Sequence, residues 1–251
     1  MLFLFGLVLI TFGVVAAGGS LGEWRTRRRL LALPASTIAA APGGRPVEVR
    51  GRVIAGEEGL VRAPISGHAG VYYRVTVEEG RSSRGGSHWT KLFAETDGHS
   101  FYLDDGSGQL ARVKPEGARI IVEQAVTNSS GTFDDATPQV EAFLRERGET
   151  SRGPLGFNRS LQVREEIIRV GDTLRALGPS LREPGPPTND HYRTTATTRL
   201  VMVHEGDGPR ELVVTSKSTL ELFDDLKAGL LGAAAVTLIG VALVLSALFW
   251  K

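Results

Sequence analysis

Histidine, serine and paired carboxylates are the residues here that could do acid-base, nucleophilic or metal chemistry, so their spacing comes first. The five histidines, His68, His88, His99, His191 and His204, show no i, i+4 pair and no other metal-ligand spacing. Ser66 and Ser100 each lie close to a histidine in sequence. Neighbours in a strand point to opposite faces, however, so His99 and Ser100 do not read as a base and its nucleophile. Glu165-Glu166 is subject to the same geometry and reads as a strand-face charge beside an edge charge rather than an acid-base pair. Asp104-Asp105-Gly106-Ser107-Gly108 lacks the alternating oxygen ligands and terminal Glu of a calcium loop, and between two apolar runs it reads as a hairpin turn. No GxSxG elbow or phosphate loop occurs. The chain has no cysteine, which leaves no thiolate for a zinc finger, a RING, a disulfide or a Cys nucleophile. No catalytic residue, metal site or cofactor is therefore expected.

The elements that would position any site are mostly strands. Val47 to Val53 alternates apolar and polar residues, as does Val71 to Glu78, where Val71, Tyr73, Val75 and Val77 form the expected buried face. Further strands are expected at 88–95, 100–103, 109–113, 118–123, 163–169, 173–177, 197–204 and 211–215. Two short helices interrupt them. Thr137-Pro138 caps a helix that Gly148 stops, and Ser218 to Glu221 fits a capping box opening a helix to Lys227. Loops are expected at 80–87, 128–135, 151–160 and 179–190, the last extended and exposed because of Pro184-Gly185-Pro186-Pro187.

Leu2 to Gly22 and Ala228 to Trp250 contain no charged residue and no histidine. As helices of 21 and 23 residues they would extend roughly 31 and 35 Å, the thickness of a bilayer's hydrocarbon core. Both are predicted transmembrane helices. For the first, a cleavable signal peptide competes, with small residues at Val15 to Gly18, but no basic residue precedes the run. For the second, a buried core helix competes. The expected organisation is a span at 1–22, a basic juxtamembrane segment at 23–33, a β-rich domain at 34–217, a linking helix at 218–227 and a span at 228–250.

Trp24, Arg25, Arg27, Arg28, Arg29, Lys227 and Trp250 are the expected interfacial residues. The basic flanks place the large middle segment in the cytoplasm and both chain ends outside. Residues 23 to 227 carry 28 basic and 28 acidic residues, since Lys251 is the one charged residue elsewhere. That neutral balance gives no reason to expect nucleic acid as a partner. Gly13-xxx-Ala17 and Gly18-xxx-Gly22 would suit helix packing in a homo-oligomer.

Ala63-Pro64-Ile65-Ser66-Gly67, followed by Val71-Tyr72-Tyr73-Arg74-Val75-Thr76-Val77-Glu78-Glu79, resembles a block of the GIDE or BAM ("beside a membrane") domain of mitochondrial MULAN-type ubiquitin ligases and their prokaryotic relatives. Trp89 with Phe101 to Ala118, Glu165 to Gly178, and the helix at Thr219 to Lys227 are similar to its later blocks. Where the family often has a Cys shortly before the tyrosine pair, this chain has Ala69-Gly70. The resemblance implies a GIDE-type module without the cysteine-rich RING that gives those ligases their activity. It also implies a domain facing the intermembrane space in mitochondrial members, opposite in sense to the arginine flanks.

The expected fold is mainly β with short helices (α+β), a compact β-barrel or sandwich-like domain between two spans of an integral, multi-pass membrane protein. The expected function is a membrane-proximal module that binds an unknown protein or peptide or acts as a scaffold. Its candidate surface is the turn Arg62, Pro64, Ser66, Gly67 and His68 together with Tyr72, because irregular turns expose backbone groups for peptide capture. Two other readings are a membrane-anchored hydrolase using Ser66 or Ser100, and a component of a ubiquitin-ligase-like pathway acting through a partner.

Overall fold

Side-chain alternation makes this chain extended, because a residue sequence with a period of two can bury one face of a strand and wet the other. The computed structural model describes residues 32–83, 86–130, 136–152, 159–185, 188–190, 193–195, 198–206 and 210–218, with positions 28, 221, 238–239 and 241–242. Two compact units divide the chain: Ala35–Glu205 with Glu211–Ser216, and Met1–Pro34 with Gly206–Arg210 and Lys217–Lys251.

The first unit holds the strands β1 (Val47–Ala55), β2 (Val61–Arg62), β3 (Ala69–Gly70), β4 (Tyr72–Ser83), β5 (Gly86–Gly98), β6 (Phe101–Asp104), β7 (Leu110–Val113), β8 (Arg119–Ile121) and β9 (Gln124–Ser130). They are followed by helix α1 (Pro138–Glu146) and by β10 (Leu161–Ile168), β11 (Thr173–Gly178), β12 (Ser180–Pro184), β13 (Thr188–Asp190), β14 (Arg193–Thr195), β15 (Thr198–Met202) and β16 (Val213–Thr215).

Eight strands form one sheet in the order β12-β15-β7-β6-β1-β11-β16-β8, and four form a second in the order β5-β4-β10-β9. The pairs β15 with β7 and β16 with β8 are parallel. The large sheet ends on β12 and β8, so of the barrel or sandwich-like forms expected the domain is mainly β with open sheets and not a closed barrel. Its core gathers Val49 and Val53 of β1, Phe101 and Leu103 of β6, Ala111 and Val113 of β7, Leu174 and Ala176 of β11, and Leu200 and Met202 of β15.

The smaller sheet has its own core. Tyr73, Val75 and Val77 of β4 and Leu161, Val163 and Ile167 of β10 pack with Val140, Phe143 and Leu144 of α1. The helix starts where Thr137 Oγ1 accepts the Val140 N–H at 3.5 Å, with proline in the first turn where no N–H is missed. It ends at the C-cap Arg147, before Gly148 at φ +73°.

The two cores meet at one peptide bond. Tyr72 belongs to the first and Tyr73 to the second, and opposite them on β10 Ile168 and Ile167 divide in the same way. Val71 therefore packs with Tyr72 in the first core and not with Tyr73, Val75 and Val77 as the simple alternation suggested.

Residues 35–44 have almost no regular structure, yet Ile38 and Ala41 are fully buried. Asp105 Oδ2 accepts the Ile38 N–H at 2.7 Å and Ser107 Oγ accepts the Ala39 N–H at 3.2 Å. Arg182 donates to the carbonyls of Ile38, Ala39 and Ala41 at 3.2, 3.0 and 2.7 Å. Asp104 to Gly108 is the β6–β7 hairpin turn, with Gly106 and Gly108 at positive φ.

Three expected loops carry strand. Pro184 ends β12, whose outer edge is unpaired, so its missing N–H costs no ladder bond. Asn128 to Ser130 belong to β9, and the β4–β5 hairpin runs through much of 80–87. In the second unit, Ser218 and Glu221 make both arms of the expected capping box, at 2.6 and 3.3 Å. The rest of that helix, and both apolar runs except Leu238, Ile239, Val241 and Ala242, lie outside the described residues. Among the described residues no helix is long and apolar enough to cross a membrane, so the flanking spans stand on the sequence alone.

Candidate functional site

The turn singled out by its proline, serine and glycine is built on a buried charge. Val61 pairs with Gly70 and Arg62 with Ala69, which closes a short ladder around residues 63–68. The Gly67 N–H reaches the Ala63 carbonyl at 2.9 Å, and the Ala63 N–H reaches the His68 carbonyl at 2.9 Å. Gly67 sits at φ +71°, a conformation a side chain would strain. This tight path leaves the N–H groups of Ile65 and Ser66 pointing inward without a backbone acceptor. Glu165, fully buried, accepts both, through Oε1 at 2.8 Å and Oε2 at 3.0 Å.

Glu165 is a strand-face charge, as the sequence suggested, but the face it lies on is the buried one. Leu161, Val163, Glu165 and Ile167 alternate along β10, and all four are buried. A charge in line with an apolar face needs partners to be buried at all, and two backbone N–H groups are suitable ones. That pattern was the available signal. Glu166, on the opposite face, lies 3.4 Å from Arg74, and burial holds its carboxyl above the usual range.

Arg62 and His68 are exposed, and Pro64, Ser66 and Gly67 are half-buried. The Arg62 guanidinium donates to the Gly67 carbonyl at 2.8 Å, and the Arg169 Nη2 lies 3.4 Å from His68 Nδ1. Ser66 Oγ accepts the His68 backbone N–H at 3.3 Å. Among the described residues no serine hydroxyl makes a hydrogen bond with an imidazole. Nor do three or more His, Asp or Glu residues there converge in a metal-binding group.

Tyr72 does not join this turn. It is 5% exposed in the first core and lines a cleft of about 350 Å³ with Arg74, Thr96, Asp97, Gly98 and residues 115–118. None of Arg62, Pro64, Ser66, Gly67 or His68 lines that cleft. Gly98 is required beside Tyr72, since a Cβ there would come within 2.8 Å of the ring. Burial pushes the Tyr72 phenol above its usual range, against the nearby Arg74 cation. Arg74 reaches the Ile120 carbonyl at 3.4 Å and lies 6.0 Å from the Tyr72 ring centroid.

A second polar cluster covers the outer face of the large sheet. Tyr102 donates to Glu57 at 2.5 Å and accepts from Arg199 at 2.8 Å, while Arg112 and His99 lie 3.7 and 3.4 Å from Glu58. The Tyr102 hydrogen bond, before the nearby arginines, holds the Glu57 carboxyl below the usual range.

Of the expected interfacial residues, Arg28 is helical and exposed, and the Ala32 N–H bonds to its carbonyl at 3.0 Å. Trp24, Arg25, Arg27, Arg29, Lys227 and Trp250 lie outside the described residues. Comparison with known proteins finds no matching family model, no matching curated protein and no matching solved structure.

Proposed function

We propose that this chain is a membrane-tethered, GIDE-like binding or scaffold module that presents the Arg62–His68 turn to a protein or peptide partner. The observation that carries the reading is Glu165: a fully buried carboxylate that fixes the backbone of a turn whose Arg62 and His68 are exposed. Rigid presentation lowers the ordering cost of binding, and Arg62 and Arg169 give the turn a cationic rim suited to an acidic partner. The tether rests on the two uncharged runs and on the apolar side chains of Leu238 and Ile239, which are 68% and 56% exposed. Hydrocarbon is the solvent in which such exposure is favourable. Residues 1–251 hold no cysteine, so this module itself offers no ligands for RING zinc.

The test places a photo-crosslinking residue at His68 in the full chain in native membranes, with a second probe at exposed Arg50 as control. A discrete adduct from position 68 only, weakened by Glu165→Gln, is the expected result. Equal or absent adducts at the two positions would refute the surface. Release of the chain by carbonate without detergent would refute the tether.

A further inference from the structure

An acidic turn lies over the outer face of the large sheet. Between β1 and β2 the chain runs through Gly56-Glu57-Glu58-Gly59, where the Gly59 N–H reaches the Gly56 carbonyl at 3.3 Å. Both ends need glycine: a Cβ on Gly56 would overlap the Ser100 carbonyl, and Gly59 lies at φ +86°. The two side chains this turn offers are therefore both carboxylates. They lie beside Tyr102, Arg112, Arg199 and His99.

The cations there are matched in charge but short of hydrogen bonds. Arg112 Nη2 lies 3.7 Å from Glu58 Oε1, and Arg199 Nη1 lies 3.9 Å from Glu57 Oε1, both beyond hydrogen-bond reach. The Arg112 Nε is buried and has no hydrogen-bond partner among the described residues. A buried N–H is costly to leave unpaired, and Nε with Nη2 forms the edge of a guanidinium that holds an oxyanion by two parallel bonds. Arg112 stands opposite Tyr102 in the register, and Arg199 donates to the Tyr102 hydroxyl at 2.8 Å, so two guanidiniums flank one phenol. The side chains of Glu57 and Glu58 are 67% and 51% exposed, and ion pairs so open to water hold weakly. Side by side on one turn, the two carboxylates also repel each other. Planar carboxylates thus leave donors unused here, whereas a tetrahedral oxyanion brings three free oxygens to one point.

We propose that this face is a site for a small soluble phosphomonoester, with Arg112 and Arg199 as its donors and Glu58 as an internal competitor for them. The ligand takes the Nε–Nη2 edge of Arg112, and the Glu57–Glu58 turn yields to admit it. Residues 62–68 take no part, so the site stands or falls apart from the partner surface.

The test follows the arginine Nε–H signals of the full chain, isotopically labelled at arginine and held in lipid nanodiscs, as inorganic phosphate replaces chloride at equal ionic strength. Arg112→Gln assigns the reporter. In the wild-type chain the Arg112 signal is expected to move saturably with phosphate and with glycerol phosphate, and to stay put with chloride or acetate. Glu58→Gln should tighten binding about threefold by removing the competitor, a gain that damage to the fold cannot produce. Arg199→Gln should weaken it about tenfold. A wild-type signal that ignores phosphate overturns the proposal, as does saturation seen in Glu58→Gln alone. So does an equal response to acetate, an affinity that Arg199→Gln leaves unchanged, or a response to phosphatidic acid in the nanodisc with none to soluble glycerol phosphate.

Discussion

The large sheet and the small one solve burial differently. Around β1, β6 and β11 the strands enclose a core of aliphatic and aromatic side chains, and the buried Glu48–Arg175 pair, at 2.7 Å, joins β1 to β11 on the other face. The four-stranded sheet has one helix for a cover, and it admits polar groups to complete the seal. Glu165 lies among its buried side chains, and Tyr73 donates to Glu95 at 3.0 Å. Arg147 holds Glu95 through contacts of 2.5 and 2.8 Å while lying 3.7 Å over the Phe143 ring. The large sheet keeps its buried Glu48–Arg175 pair off the apolar face, whereas the core under α1 admits Glu165 to fix a turn and the Glu95–Arg147 pair to hold a helix end. The small region is thus more sensitive to pH and to polar substitution, and the large one to lost volume.

The largest effect should come from Phe101→Ala in the large core, about 3–5 kcal/mol by chemical denaturation of the detergent-solubilised chain. Phe143→Ala in the small core should cost a similar amount and shift the same transition, because Tyr72 and Tyr73 join the cores across one bond. An early separate transition in Phe143→Ala, with β1 and β11 amides still protected from exchange, would break that link. Next, Glu165→Ala leaves the Ile65 N–H buried and the Ser66 N–H part-buried without a carboxylate, and should cost about 2–4 kcal/mol. If the two cores follow different rules, Glu165→Ala should also raise proteolysis within 62–68 while leaving the large sheet's exchange unchanged.

Arg147→Met should cost about 1 kcal/mol, since the pair with Glu95 is partly exposed. The Arg147 hydrogen bonds hold the Glu95 carboxyl below its usual range, so the pair's contribution is present at neutral pH and lost as acid protonates Glu95. Arg147→Met should flatten that acid limb. The smallest effect concerns Tyr73, whose phenol is pushed up to about 12 by burial first and then by Glu95. Its stabilisation is complete below the ordinary phenol value of 10.0 and declines as pH rises toward 12. Tyr73→Phe should remove that alkaline slope, followed by phenolate absorbance and denaturation together.

Much of the fold was legible because strands with a wet face announce themselves. The alternation at Val47 to Val53 became β1, and the signals at Thr137, Pro138 and Gly148 bracket α1. What escaped depends on partners distant in sequence. Whether Val71 sides with Tyr72 or Tyr73 is decided by the presence of two cores, which no local period encodes. The β4–β5 register passes from Val77–Phe93 to Glu78–Lys91 and skips Leu92, a mismatch between two strands that is invisible in either alone. Residues 180–184 read as loop because proline is a poor central-strand residue, and β12 escapes the rule by lying at an edge. At the turn, the exposed residues were found by type, while the carboxylate that fixes them lies 99 positions away from Ser66.

Asp105, Ser107 and Arg182 grip residues 38–41 entirely through main-chain amides and carbonyls. A fastening of that kind is indifferent to the side chains at 39 and 40, provided an aliphatic group fills the place of Ile38 and a small one that of Ala41. The folded unit therefore carries its own buckle: a different leader could be spliced ahead of residue 38 and still be seated in the same groove.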